Sequence, residues 1–95
     1  MREVLDECVG FDWDQGNVEK NWQRHRVAWW ECEQALLQEP LLVKRDPAHS
    51  AHESRYVALG KTDAGRRLFL ALTTRRKRIR VISARDMSRR ERRRF

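Results

Sequence analysis

SRYVALGKTDAGRRLFLALTTRRKRIRVISAR, residues 54–85, is the stretch that decides the fold. Its apolar period is two rather than 3.6. SRYVALG (54–60) puts Arg55, Val57 and Leu59 on one face of a strand. KTDAG (61–65) is turn chemistry ending in glycine. RRLFLALTT (66–74) is apolar on both faces, which predicts a central strand. After the short connection TRRK (74–77), RIRVISAR (78–85) alternates, with Ile79 and Val81 on one face and Arg78 and Arg80 on the other. Short connections between strands predict an antiparallel meander.

Upstream, LLVKRD (41–46) adds a fourth strand, and DPAHSAHE (46–53) is a polar loop opened by Asp-Pro. Further upstream the period changes. Asp14 reads as the N-cap of a helix over 15–26, with Val18, Trp22 and His25 on its apolar face and Asn17, Asn21 and Arg24 on an adjacent one. A second helix fits 28–39, with Trp29, Cys32 and Leu36 inward, and Pro40 stops it. VGFDW (9–13) reads as a short strand before these helices. SRRERRRF (88–95) reads as a basic helix capped by Ser88. The expected class is α+β: two N-terminal helices packed on a small antiparallel sheet, with a short basic C-terminal helix. A single domain spans 1–95, with residues 1–8 as an N-terminal extension.

Ninety-five residues, 40% apolar and 37% charged, support one modest core. That length excludes a multidomain enzyme or a doubly wound cofactor fold. No apolar run approaches the roughly 20 residues of a membrane helix, and MREVLDECVG opens with three acids and no apolar block. A cytoplasmic protein without a membrane partner is expected. Cys8 and Cys32 lack CxxC partners and read as reduced thiols, though a disulfide between them stays open. The net charge of +7 is unevenly placed. Residues 1–74 hold ten Lys/Arg against twelve Asp/Glu, whereas residues 75–95 hold eleven against two. This asymmetry points to a polyanionic partner, and arginines within a strand pattern favour that over a merely solvated tail.

No nucleotide loop, nucleophile elbow, zinc ribbon or calcium loop is present. His49, His52 and Glu53 form a loose H-x-x-H-E without a second cluster, so no metal or cofactor is expected. His25 reads two ways: a partly buried histidine donating to a carbonyl, or a general acid or base, since imidazole titrates near neutral pH. Arg55, Arg80 and Arg85 offer planar forks that match phosphate oxygens. Such groups suit metal-free RNA cleavage, in which charge grows on a phosphorane. They also suit exposed strand arginines that only protect a sheet edge.

The ordered motifs carry a resemblance. They are GFDWDQGNVEKNWQRHRV (10–27), with Trp13-Asp14, Gly16-Asn17, Lys20 and Arg24-His25; Glu31 and Ala35 before Pro40; Glu53-x-Arg55, Gly60 and Gly65-Arg66; then RIRVISAR with Glu91. Together they cover about residues 11 to 92, and the chain resembles the BrnT family of bacterial type II toxins. The resemblance implies a RelE-like fold and a metal-independent endoribonuclease that inhibits translation and growth. It also implies a BrnA-type antitoxin partner, in a heterotetramer or larger complex, that contacts operator DNA on the toxin's behalf. His25 becomes the expected proton-transfer residue. Arg55 and Arg80 become the phosphate clamp, and Arg85 orients RNA or anchors a carboxylate. Glu53 orients an arginine, while Lys20, Arg24, Arg89, Arg90 and Arg92 contact RNA. The basic C-terminus is the expected antitoxin contact. The sequence departs from the family where Lys-His-Gly becomes Arg24-His25-Arg26, so a residue with a Cβ takes a position suited to a left-handed glycine. Two other functions remain open: a non-catalytic nucleic-acid-binding module, and a degenerate toxin kept as an antitoxin partner.

Overall fold

The computed structural model describes residues 3–95. The first two residues of the expected 1–8 extension therefore lie outside the described residues. The elements are α1 (Glu3–Asp6), β1 (Gly10–Phe11), α2 (Gln15–His25), α3 (Trp29–Leu37), β2 (Leu42–Arg45), β3 (Arg55–Lys61), β4 (Arg67–Arg75), β5 (Arg78–Asp86) and α4 (Arg89–Arg94). A 3₁₀ turn over Pro47–His49 interrupts the loop between β2 and β3.

The five strands form one sheet in the order β1-β5-β4-β3-β2. β4 is its middle strand, as the two-sided apolar pattern requires. β2 through β5 pair antiparallel, but β1 pairs parallel with β5. The sheet is thus mixed, where an antiparallel one was expected. β1 reaches β5 from the far end of the sequence, without a hairpin to dictate direction, so local turn chemistry carries no information about its pairing.

One face of the sheet is the core. Leu68, Leu70 and Leu72 of β4 meet Val81 and Ala84 of β5 and Cys32, Ala35 and Leu36 of α3. The helix rides close: a Cβ on Gly60 would sit 2.7 Å from the Ala35 carbonyl oxygen, so β3 needs glycine there. Leu5 of α1 is also buried in this cluster, with Val4 and Cys8 packed against it. Trp29, expected inward, is 45% exposed; Ala35 takes its place in the helix face that packs.

α2 does something different. Its side chains Val18, Trp22 and His25 were expected to face the core, yet its buried residues are Asn17 and Asn21. The reason lies in the sheet edge. β1 pairs with β5 only at Arg78 and Ile79, so the remainder of β5 has no outer strand. Asn17 Nδ2 donates to the Val81 carbonyl at 3.2 Å, and Asn21 Oδ1 accepts the Ala84 N–H at 3.0 Å. Buried backbone groups need partners, and the two amides supply them. The Asp14–Asn17 capping box starts the helix at the right place for this.

The helix ends at Arg26, whose backbone is left-handed (φ 55°). A Cβ in that region costs roughly 1–2 kcal/mol. Arg66 then locks the corner. It pairs with Asp86 at 2.7 Å and Glu31 at 3.1 Å, and it donates to the carbonyls of His25 and Arg26. No described helix is long and apolar enough to cross a membrane.

Arg26→Gly should raise stability by about 1 kcal/mol through release of the left-handed strain, seen as a higher Tm in thermal unfolding. A lower Tm would mean that the Arg26 guanidinium, 5.4 Å over the Trp22 ring, outweighs the backbone cost.

Candidate active site

The other face of the sheet carries the arginines. The β3 register pairs Arg55 with Thr73, and β4 pairs Thr73 with Arg80 and Arg75 with Arg78. Residues directly opposite share a face, and so do positions two apart along a strand. Arg55, Arg75, Arg78 and Arg80 therefore stand together on the side that α3 leaves open.

A bulge brings a further arginine to that side. Ser83 pairs with Ala71 and Val81 with Leu72, which leaves Ile82 as an extra residue in β5. Arg80 and Arg85 are five apart and would face opposite ways on a regular strand. One added residue reverses the alternation after Ile82 and returns Arg85 to the outer face.

Between the outer face and the start of α2 lies an open cleft of about 460 Å³. Lys20, Glu53, Arg55, Arg75 and Arg80 line it together with Asp14 and Asn17. Four of the expected site residues thus converge: Lys20, Glu53, Arg55 and Arg80. Each guanidinium is already aimed by a carboxylate. Arg80 Nη2 meets Asp14 Oδ2 at 2.8 Å, and its Nη1 lies 3.5 Å from Asp12. Glu53 holds Arg75 with both oxygens, at 3.2 and 3.3 Å, and Arg55 Nη2 at 3.3 Å. The Arg55 Nε is buried and makes no hydrogen bond in the free protein.

The electrostatics follow from this pairing. The Arg75 guanidinium, helped by Arg55, holds the Glu53 carboxyl below its ordinary range. The Asn17 N–H, with Arg80 behind it, does the same for Asp14. Both are anions at neutral pH. The thiols offer no nucleophile: Cys8 and Cys32 are free, and burial pushes Cys32 up to about 12. Among the described residues no group of three His, Cys, Asp or Glu side chains stands together to hold a metal.

The remaining expected residues lie elsewhere. His25 is exposed at the far end of α2 and is not among the residues that line the cleft. Its carbonyl serves Arg66. Arg24 is likewise exposed beyond the cleft. Arg85 makes a two-pronged pair with Glu91 at 2.8 and 2.9 Å and stacks 4.1 Å over the Phe69 ring, so it anchors a carboxylate. Arg89 and Arg90 are exposed on α4, and Arg92 lines a separate hollow with Arg67 and Asp86.

Sequence reading missed Arg75 and the carboxylate partnership of Asp14. The signal for Arg75 was the two-residue turn: Arg76 and Lys77 both have positive φ (52° and 61°), which fixes Arg75 opposite Arg78. Arg and Lys are poor markers of such a turn, because Asn and Gly normally fill it.

A family model described as the ribonuclease toxin, BrnT, of type II toxin-antitoxin systems matches residues 13–91. Among solved structures, the crystal structure of the Brucella abortus ribonuclease toxin BrnT aligns with a TM-score of 0.60. The alignment covers 85% of this chain and 99% of that one at 19% identity, and it speaks for the fold. Among curated proteins, none matches the sequence significantly.

Arg85 holds the Glu91 carboxyl down to about 2. A carboxyl depressed on folding contributes stability that is complete above its ordinary value and is lost as pH falls. The Tm of the parent should therefore fall more steeply than that of Glu91→Gln between about pH 4.5 and 2. Parallel pH profiles would show that the pair adds nothing to folding.

Proposed function

The chain belongs to the BrnT family, the ribonuclease toxins of type II toxin-antitoxin systems, and we propose that it cleaves RNA in the cleft between α2 and the outer face of the sheet. The observation that carries this reading is the convergence of Arg55, Arg75, Arg80 and Lys20 around one concavity that also holds a carboxylate.

The scissile phosphate sits among the three guanidinium groups. The adjacent 2′-oxygen attacks phosphorus and gives up its proton, the bond to the 5′-oxygen breaks, that oxygen takes a proton from water, and a 2′,3′-cyclic phosphate and a 5′-hydroxyl result. Charge that develops on the phosphorane oxygens meets fixed cations, which is the work a metal would otherwise do. Cleavage therefore continues in EDTA. Glu53 is within the cleft and accepts the 2′-proton. In the free protein its charge is spent on Arg75 and Arg55. When those guanidinium groups turn to phosphate, the carboxylate loses its partners and becomes a better base. Asp14 keeps Arg80 oriented.

His25 was the expected proton-transfer residue, and its distance from the cleft favours Glu53 for that step. Arg24, Arg89, Arg90 and Arg92 then extend the RNA path beyond the reacting phosphate. The fold is of the RelE-like kind, the whole chain acts as one domain, and it works in the cytoplasm. A BrnA-type antitoxin holds it in check in a heterotetramer or larger complex.

The test is single-turnover cleavage of RNA by Arg80→Ala, Arg75→Ala, Glu53→Gln and His25→Gln, each with a thermal unfolding curve. Loss of a proton-transfer group costs about 10²–10⁴-fold. Glu53→Gln should show such a loss and lose the acid limb of the pH–rate profile. His25→Gln should stay near the parent. Arg75→Ala should fall with Arg80→Ala, both folded. The reverse order for Glu53 and His25 would return the proton to the histidine, and full activity of Arg80→Ala would remove the phosphate from this cleft.

A further inference from the structure

α3 covers the inner face of the sheet, but among the described residues no helix covers the outer one beyond α4. At the end away from the cleft this leaves a groove of about 470 Å³. Leu42, Val57, Leu59 and Phe69 form its apolar floor. Leu42 is 46% exposed. Lys44 and Arg94 stand on its rim, and the one acid there, Glu91, is already committed to Arg85. An apolar concavity with a cationic rim marks a docking site for a partner of the opposite sign.

RNA does not fit it. Nucleic acid without base pairing binds by stacking on aromatic faces, and the single aromatic ring in this floor, Phe69, is capped by the Arg85 guanidinium at 4.1 Å. An amphipathic helix does fit. Its apolar side chains, recurring at helical spacing, would complete the second layer that the outer face lacks, and its flanking acids would meet Lys44 and Arg94.

We infer that this groove receives an acidic amphipathic helix of the antitoxin, an inference that rests on the toxin reading above. The groove and the cleft lie on the same sheet face. Leu59 and Arg55 are four residues apart on β3, about 13 Å at strand rise. A helix seated on Leu42 and Leu59 needs about nine further residues to reach the phosphate clamp. Inhibition then follows from occupancy of one face, with the groove giving affinity and the cleft being blocked by extension.

The experiment uses the full chain and the purified product of the neighbouring open reading frame. Leu42→Asp places a charge on a half-exposed floor position without opening the core. Its affinity for that product should fall by about tenfold or more, while RNA cleavage by the free variant matches the parent. Arg94→Glu should slow association chiefly at low salt. In cells, Leu42→Asp should arrest growth despite co-expressed antitoxin. Unchanged affinity in Leu42→Asp, with the parent bound normally, overturns the docking site and leaves the nuclease reading standing. So does loss of RNA cleavage with antitoxin binding intact, which would give the groove to RNA. A parent chain that neither cleaves RNA nor binds the neighbouring product overturns the toxin reading and this inference together.

Discussion

Two asparagine amides determine where α2 sits. The outer edge of β5 beyond Ile79 would leave backbone groups without partners, and Asn17 and Asn21 take the Val81 carbonyl and the Ala84 N–H. A buried group left unpaired costs roughly 1–3 kcal/mol, so the placement is strongly specified. Much else follows from it. Asp14, one turn upstream, lands 2.8 Å from Arg80, and Lys20 lands on the cleft wall. The far end of the same helix carries His25 away from that cleft and into the corner that Arg66 ties together.

The cleft is built as cations held by anions. Arg80 rests on Asp14, and Arg75 and Arg55 share Glu53. These pairs are partly exposed, so their worth to folding is modest. Their value is geometric. In the proposed reaction they aim guanidinium groups before a phosphate arrives, and a phosphate would take over from a carboxylate without rebuilding the sheet. Arg85, by contrast, is consumed by Glu91 and Phe69, and through them it fastens α4 to the outer face. The strongly basic C-terminal stretch is therefore divided. Part of it serves the cleft, part holds structure, and part lies free on α4.

Strand order and face were legible where alternation is clean. Val57, Leu68, Ile79 and Val81 give the period, and the glycine at 65, with φ 88°, marks the turn. Arg55 and Arg80 were identifiable as strand arginines from that pattern, with the family resemblance adding Glu53 and Lys20. Three features were not legible. The Ile82 bulge leaves no compositional trace, although it determines the face of Arg85. The turn at Arg76–Lys77 hides behind residues that rarely fill it, and Arg75 was missed with it. α2 inverted the usual rule, because hydrogen bonding to an unpaired strand edge outweighed burial of Val18 and Trp22. Hydrophobic periodicity assumes that a helix seeks apolar contact, and here it seeks a backbone.

The central claim is that one cleft, made of Arg55, Arg75 and Arg80, holds the RNA phosphate. The most direct measurement is NMR of the arginine Nε–Hε signals during titration with a 2′-O-methyl RNA oligonucleotide, which lacks the nucleophile and stays intact. The account predicts that the signals of Arg55, Arg75 and Arg80 move together and saturate at one ratio of RNA to protein. The Arg55 Nε–H, without a partner in the free protein, should shift furthest. If those three stay still while only the α4 arginines and the His25 ring respond, RNA is held elsewhere and the cleft is not the active site.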